Sequence, residues 1–211
     1  MLVTLEEVRL NKSTVKDGHF DWGSADQAFA EAFRADGVDV EALSVEVAAA
    51  RIRACRIRAE LAAVLDSWAF SRRSARPGSD RSWRTLLTVA READPDEWRG
   101  RLRNVVLEGR GVGGLVEVAK LEKSDTLSAS TVGVVIAAVE SEKGDLAPVM
   151  PLLRRAQQKH PDDFWVNHDL AWALDHMQPP QAGRGHHLLP GCRRSPAGKS
   201  RRAREPRLLP V

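Results

Sequence analysis

Apolar residues recur at helical spacing along most of the chain, and no stretch alternates strictly enough to predict a strand. Positions 2–16 predict a first helix, stopped at Gly18. Ser24 is the expected cap of a second, 25–35, which places Ala28, Phe29 and Phe33 on one side before Gly37 ends it. Helices are predicted at 43–54 and 56–70, with Ile52, Leu61, Val64, Leu65 and Trp68 as candidate core. The stretch 71–81 holds Pro77-Gly78 and several charges and reads as an exposed linker. Beyond it come helices at 82–92 and 96–108, the second opened by Asp94-Pro95 with proline in the first turn. A glycine-rich turn at 109–114 leads to a helix at 115–122. Helices at 128–142, 145–159 and 163–177 are separated by Gly144-Asp145 and His160-Pro161-Asp162. Connections this short predict antiparallel neighbours.

The expected fold is therefore all-α, with antiparallel helical hairpins stacked as an α-solenoid. Four segments are expected: N-terminal hairpins at 1–70, the linker at 71–81, a helical region at 82–178 and a disordered tail at 179–211. Composition agrees with this division. Of 211 residues 43% are apolar and 29% charged, which supports a packed core, while the absence of tyrosine and the scarcity of other aromatics favour helix over sheet. The formal charge of +3 conceals a division: residues 181–211 hold eight Lys/Arg against Glu205 alone, and the rest hold 24 basic against 28 acidic residues. A body of about −4 gives no electrostatic reason to expect a specific nucleic-acid partner. Cys55 and Cys192 lie far apart with no secretory signal, so reduced thiols in a cytoplasmic protein are expected. The longest apolar run, 132–139, is too short to span a bilayer.

The last third carries a repeat. Ile136-Ala137 recurs 34 residues later as Leu170-Ala171, Gly144-Asp145 falls between two helices, and Ala156 and Pro161 fall near the end of the second. Small residues at 137 and 171 allow close helix approach, and Pro161 ends one helix before the next begins. The pattern resembles a tetratricopeptide repeat at 130–163 and a half repeat at 164–178. Gly18, Phe20 and the stretch 28–33 look like a degenerate earlier copy, whereas 41–122 fits poorly. The strings RLNKSTVKDGHFDW, AFAEAFRADGVDVEAL and DDFWVNHDLAWAL extend the resemblance over roughly 1–178. They are similar to the region downstream of the catalytic domain in bacterial eukaryotic-type serine/threonine protein kinases. That resemblance implies a protein-binding or scaffold segment in a signalling protein, with a kinase domain upstream and none in this chain.

Several residue groups invite chemistry. Gly109-Arg110-Gly111-Val112-Gly113-Gly114 followed by Val116 fits the kinase nucleotide-loop spacing, and Val118-Ala119-Lys120 echoes the strand lysine. That loop needs a strand on each side, where helices are predicted, and six residues between Gly114 and Lys120 leave no room for a returning strand. Likewise His168-Asp169-Leu170 lacks the catalytic-loop arginine, Trp165 stands where Asp163-Phe164 would need glycine, and Gly198-Lys199-Ser200 lacks the first glycine of a phosphate loop at Arg193. His168 and His176 with Asp175 supply too few ligands at metal-binding spacing, and Cys55 reads as a small core residue. Asp162-Asp163 suits a helix start. No catalytic residue, cofactor or metal site is expected, and the glycine loop as the site of a nucleotide-binding enzyme fragment is the alternative.

The candidate protein-binding residues are Trp165, His168, Trp172 and Asp175, which in the repeat register fall on first-helix positions lining the inner groove. The basic residues that clamp a peptide carboxylate in some members of the family are missing. The final helix lacks a hairpin partner, so Leu170, Ala171 and Leu174 are expected to be partly exposed and to promote self-association. Reading the codons of residues 182–197 one nucleotide forward permits Pro-Asp-Glu-Ala-Ile-Thr-Tyr-Tyr-Arg-Ala-Ala-Val-Ala-Ala-Arg-Pro, with the spacing of a tetratricopeptide second helix. The basic tail then reads as a frameshift product, and non-specific nucleic-acid binding by it is the other alternative. Resequencing the gene from codon 178 onward, and upstream of codon 1, is expected to find a missing or extra base near codon 181 and kinase-coding sequence upstream. An intact frame would leave the tail a genuine basic segment.

Overall fold

The computed structural model describes residues 15–16, 19–121, 129–141 and 144–177, and it is all-helical apart from a two-residue pairing near its start. Among the described residues there are nine α-helices: α1 (Trp22–Ala35), α2 (Val45–Arg53), α3 (Arg58–Ala75), α4 (Ser82–Ala93), α5 (Glu97–Glu108), α6 (Gly111–Leu121), α7 (Ala129–Ser141), α8 (Met150–Lys159) and α9 (Phe164–His176). Strands β1 (Val15–Lys16) and β2 (His19–Phe20) pair antiparallel, Val15 opposite Phe20. The helix expected through Lys16 therefore gives way to a pairing at its end; Asp17-Gly18 is a hairpin-favouring dipeptide, which the helical pattern obscured. Positions 2–14 and 179–211 lie outside the described residues, and with them the rest of the first expected helix and the tail.

Local chemistry sets the other boundaries. Asp21, rather than Ser24, caps α1 by accepting from Ser24 N–H at 3.0 Å, and Gly37 ends that helix with φ +79°. Asp96 caps α5 and accepts from Arg99 N–H at 2.8 Å, so Pro95 precedes the cap instead of opening the helix. Pro148 and Pro151 divide the expected helix at 145–159 into a 3-10 turn, Ala147–Val149, and α8. The largest difference is at the end of α3. It continues through Ala75, and Ser71 and Arg72, expected in an exposed linker, are buried. Pairing is the reason: Arg72 Nε donates to Asp26 Oδ1 at 2.7 Å and Nη2 to Glu41 Oε1 at 2.6 Å.

The centre of the packing is α3. Helices α1, α4 and α7 all lie against it, α4 most extensively, and α2 packs on α4. Contact between α3 and α7 bridges a long stretch of chain, unlike the neighbour-to-neighbour contacts of a linear repeat array. The apolar run 132–139 explains how α7 reaches this position. Val132, Val134, Val135, Ile136, Ala138 and Val139 are all buried, leaving no polar side in that stretch. At the C-terminal end, α9 packs on both α7 and α8, with Ala156 and Ala171 buried in the close approach; on α7, Ala138 is fully buried and Ala137 partly so.

Two charged clusters tie these helices together. Asp26 of α1 accepts from Trp68 Nε1 at 2.6 Å and from Arg72, and pairs with Arg76 at 2.7 Å. Arg72 also lies 4.6 Å over the Trp68 ring, which stacks on Phe33 at 5.5 Å. Deeper in the molecule, Arg103 of α5 grips Asp66 of α3 through Nε and Nη2, both at 2.9 Å, and reaches Asp94 at 3.1 Å; Asp94 is also held by Arg99. Burial pushes the Asp66 carboxyl up against the pull of Arg103. Burial also works against the charge on Arg103, but Asp66 and Asp94 outweigh it and hold the guanidinium protonated. At Asp94 burial is likewise outweighed, and Arg99 and Arg103 hold the carboxyl below the usual range.

Arg103→Met is expected to destabilise the fold by about 3–5 kcal/mol in urea denaturation, because Asp66 is left buried without its partner. Asp66→Leu/Arg103→Met should recover most of that loss, since Asp94 keeps Arg99; an additive double variant would refute the pairing. A separate steric prediction concerns Gly144, where a Cβ would collide with the Val112 side chain. Gly144→Ala should cost about 1–3 kcal/mol, and Val112→Ala in the same chain should return part of it in thermal melts.

Candidate functional site

Helix α9 carries the residues singled out by the repeat. Asp163 caps it, accepting from Val166 N–H at 2.9 Å, and one side of the helix, with Val166, Leu170, Ala173 and Leu174, is buried. Trp165, His168, Trp172 and Asp175 are all half-buried on the same helix, as 3.6-residue periodicity places them. They form two groups separated by about 10 Å of helix rise. At the N-terminal end Trp165 meets His168 edge-on at 5.6 Å, while Phe164, 55% exposed, lies edge-on to Trp165 at 5.1 Å and stacks with His168 at 6.1 Å. At the other end Trp172 and His176 stack at 3.9 Å.

The hydrogen bonds fix the histidines separately. His168 Nδ1 donates to Asp169 Oδ1 at 3.1 Å, and His176 Nδ1 donates to the Trp172 carbonyl at 2.9 Å, since each partner can only accept. The two rings are thus held in different aromatic groups. Among the described residues no three His, Cys, Asp or Glu side chains converge to hold a metal ion. Trp172 rests partly against the core, whereas Phe164 does not. Phe164 was missed in the sequence because its position at the first residue of α9 falls outside the repeat's groove register.

The expected apolar exposure of α9 is not found. Leu170, Ala171 and Leu174 are 4–5% exposed, because α9 is covered by α7 and α8 together rather than by a single hairpin partner. Self-association through that side of the helix has no exposed surface to act on. Phe164 at the N-terminal end is the exposed large apolar side chain of α9, and His176 is exposed at the other end.

The glycine stretch at 109–114 is flanked by α5 and α6, and Gly111–Leu121 is already helix, so the turn is shorter than expected. Gly109 ends α5 in the left-handed conformation, φ +70°, and Gly111 has φ +64°. At Gly114 the space for a Cβ is filled by Arg110 and Val105 at 2.9 Å. Backbone direction and tight packing account for these glycines. Cys55 packs against the core, half-buried, with Sγ 3.4 Å from the Arg51 carbonyl.

A further feature was hidden in the supposed linker. Between the end of α3, the turn at 76–81 and α4 lies a cleft of about 440 Å³. Arg73, Arg76, Arg81 and Arg84 line it with Asp80 and Trp83, and Pro77, Val106 and Gly109 form its apolar margin. Arg73 and Arg84 lie over the Trp83 ring at 5.0 and 5.1 Å. The signal available in the sequence was the recurrence of arginine every three to five residues around a tryptophan; reading the segment as solvated charge concealed it. No protein-family model, curated protein or solved structure matches the chain. No helix among the described residues is long and apolar enough to cross a membrane.

Proposed function

We propose that this chain is a non-catalytic helical interaction segment, cytoplasmic, of the kind that follows the catalytic domain in bacterial eukaryotic-type serine/threonine kinases. On this reading its partner is a protein segment that docks on the aromatic side of α9. The observation that carries it is the exposure of Phe164 beside half-buried Trp165 and His168, on a helix whose other side is firmly packed. Rigid aromatic side chains on a fixed helix offer large contact area at small entropic cost, which is why such residues dominate interface energetics. The tetratricopeptide-like spacing of 130–163 and 164–178 supports the same surface, since first-helix positions face the ligand groove in that family. The mechanism is binding alone: the cluster of Phe164, Trp165 and His168 engages apolar side chains of the partner, and Trp172 and Asp175 extend the surface toward the other end of α9.

A photo-crosslinking side chain at position 164 identifies the partner directly. With that partner purified, Phe164→Ala and Trp165→Ala are each expected to weaken its affinity at least about tenfold, or 1.4 kcal/mol, with an unchanged melting temperature for Phe164→Ala. Affinity that is indifferent to both substitutions would remove α9 as the docking surface.

A further inference from the structure

We propose that the arginine-lined cleft between α3 and α4 binds a phosphate monoester. Four guanidiniums converge on it against one carboxylate, Asp80, in a body whose net charge is about −4. Such a concentration of like charge is unfavourable unless it is matched. Elsewhere the matching is internal: Arg72, Arg99 and Arg103 each rest on carboxylates at 2.6–3.1 Å. In the cleft Arg81 and Arg84 have no carboxylate within salt-bridge reach among the described residues.

The donors left over point to the ligand. Arg84 Nη2 is bound to the Leu107 carbonyl at 2.6 Å, which fixes the guanidinium, while its buried Nε has no hydrogen-bond partner. Arg76 is anchored on Asp26 at 2.7 Å, and Arg81 donates to the Gly78 carbonyl at 2.8 Å in the exposed turn. Trp83 supports the planes of Arg73 and Arg84 from below. The groups are therefore positioned before any ligand arrives, which reduces the entropy lost on binding. Asp80 is already engaged: its Oδ1 accepts from Ser82 N–H at 2.7 Å at the start of α4, and the backbone hydrogen bond holds its carboxyl below the usual range. Its Oδ2 lies 3.7 Å from Arg76 Nη1, so Asp80 offsets Arg76 and leaves Arg81 and Arg84 without a carboxylate among the described residues.

A carboxylate presents its two oxygens in one plane with a single charge, whereas a tetrahedral phosphate dianion accepts donors from several directions with twice the charge, which suits four guanidiniums better. A volume of about 440 Å³ also exceeds what inorganic phosphate fills and lies within the range of small-molecule sites. The ligand is thus a phosphate carried on a larger group, either a free organic phosphate or a phosphorylated side chain of another protein. The assignment is independent of α9.

The test is calorimetric titration of the full chain with ribose 5-phosphate, a phosphoserine peptide, the same peptide without phosphate, and sodium sulfate as a control anion. At least one phosphate monoester is expected to bind with Kd below about 1 mM, and more weakly as salt rises. Arg73→Gln/Arg81→Gln, which removes two rim charges while sparing the Leu107 and Asp26 contacts, should weaken it at least tenfold with an unchanged melt. Arg84→Gln should do the same, and if it lowers the melt the rim variant decides. Tighter binding of the phosphopeptide assigns the phosphate to a partner protein, and tighter binding of ribose 5-phosphate assigns it to a free metabolite. The proposal is overturned if neither phosphate binds at millimolar concentration, if sulfate or the unphosphorylated peptide binds equally well, or if the arginine variants bind as tightly as the parent.

Discussion

A guanidinium with almost no access to solvent sits between α3 and α5, and the arrangement of the surrounding helices follows from the need to satisfy it. Arg103 spends two donors on Asp66 and another on Asp94, and Asp94 in turn requires Arg99. Each charge is tolerable only while its neighbours stay in place, since an unpaired ion in that environment costs several kcal/mol. A purely apolar contact between α3 and α5 would permit sliding and rotation; the two-pronged pairing of Arg103 with Asp66 permits one relation. Asp26 and Arg72 do the same for α1 and α3 nearer the surface. The helices are thus fixed in register by charge and filled between by Leu61, Leu65, Leu86, Leu87 and Leu102, which discriminate poorly among similar packings.

Helix α3 is packed by α1 and α4 and tied to α5 through Arg103, and α7 lies against it as well, a buried position that suits a helix apolar all round. The run of valines and alanines in α7 meets that requirement. Its burial gives α9 a second surface beside α8, and the two together cover the apolar residues of α9. Phe164, at the first position of that helix, is left exposed beside half-buried Trp165 and His168.

Helix periodicity and punctuation were legible because they act locally. Gly37, Gly109 and the segment at 160–162 ended helices where their chemistry requires, and Ile52, Leu61, Leu65 and Trp68 are buried as their spacing indicates. Charged residues were misread for the opposite reason. Arg72 and Arg103 look like surface positions in the sequence, and only their partners, 46 and 37 residues away, make burial possible. The same lack of long-range information separates the groove residues from Phe164: spacing places Trp165, His168, Trp172 and Asp175 on one helix, but exposure depends on which helices cover it.

The two readings of residues 71–75, as helix or as linker, have different consequences for function. In a linker, Arg72 and Arg73 would share one solvated environment and no fixed orientation. Within α3 they point about 100° apart, so that Arg72 can turn inward to Asp26 and Glu41 while Arg73 turns toward Trp83. Arg76, about one turn further on, is drawn to the other oxygen of Asp26 and marks the point where the helix ends. The buried pair therefore extends the helix and, by extending it, brings the cationic side chains of α3 up to those of α4. A cluster of positive charge that a flexible segment would disperse into solvent is instead held around a cavity, with Asp26 and Glu41 fixing the end of α3 and the Leu107 carbonyl fixing Arg84.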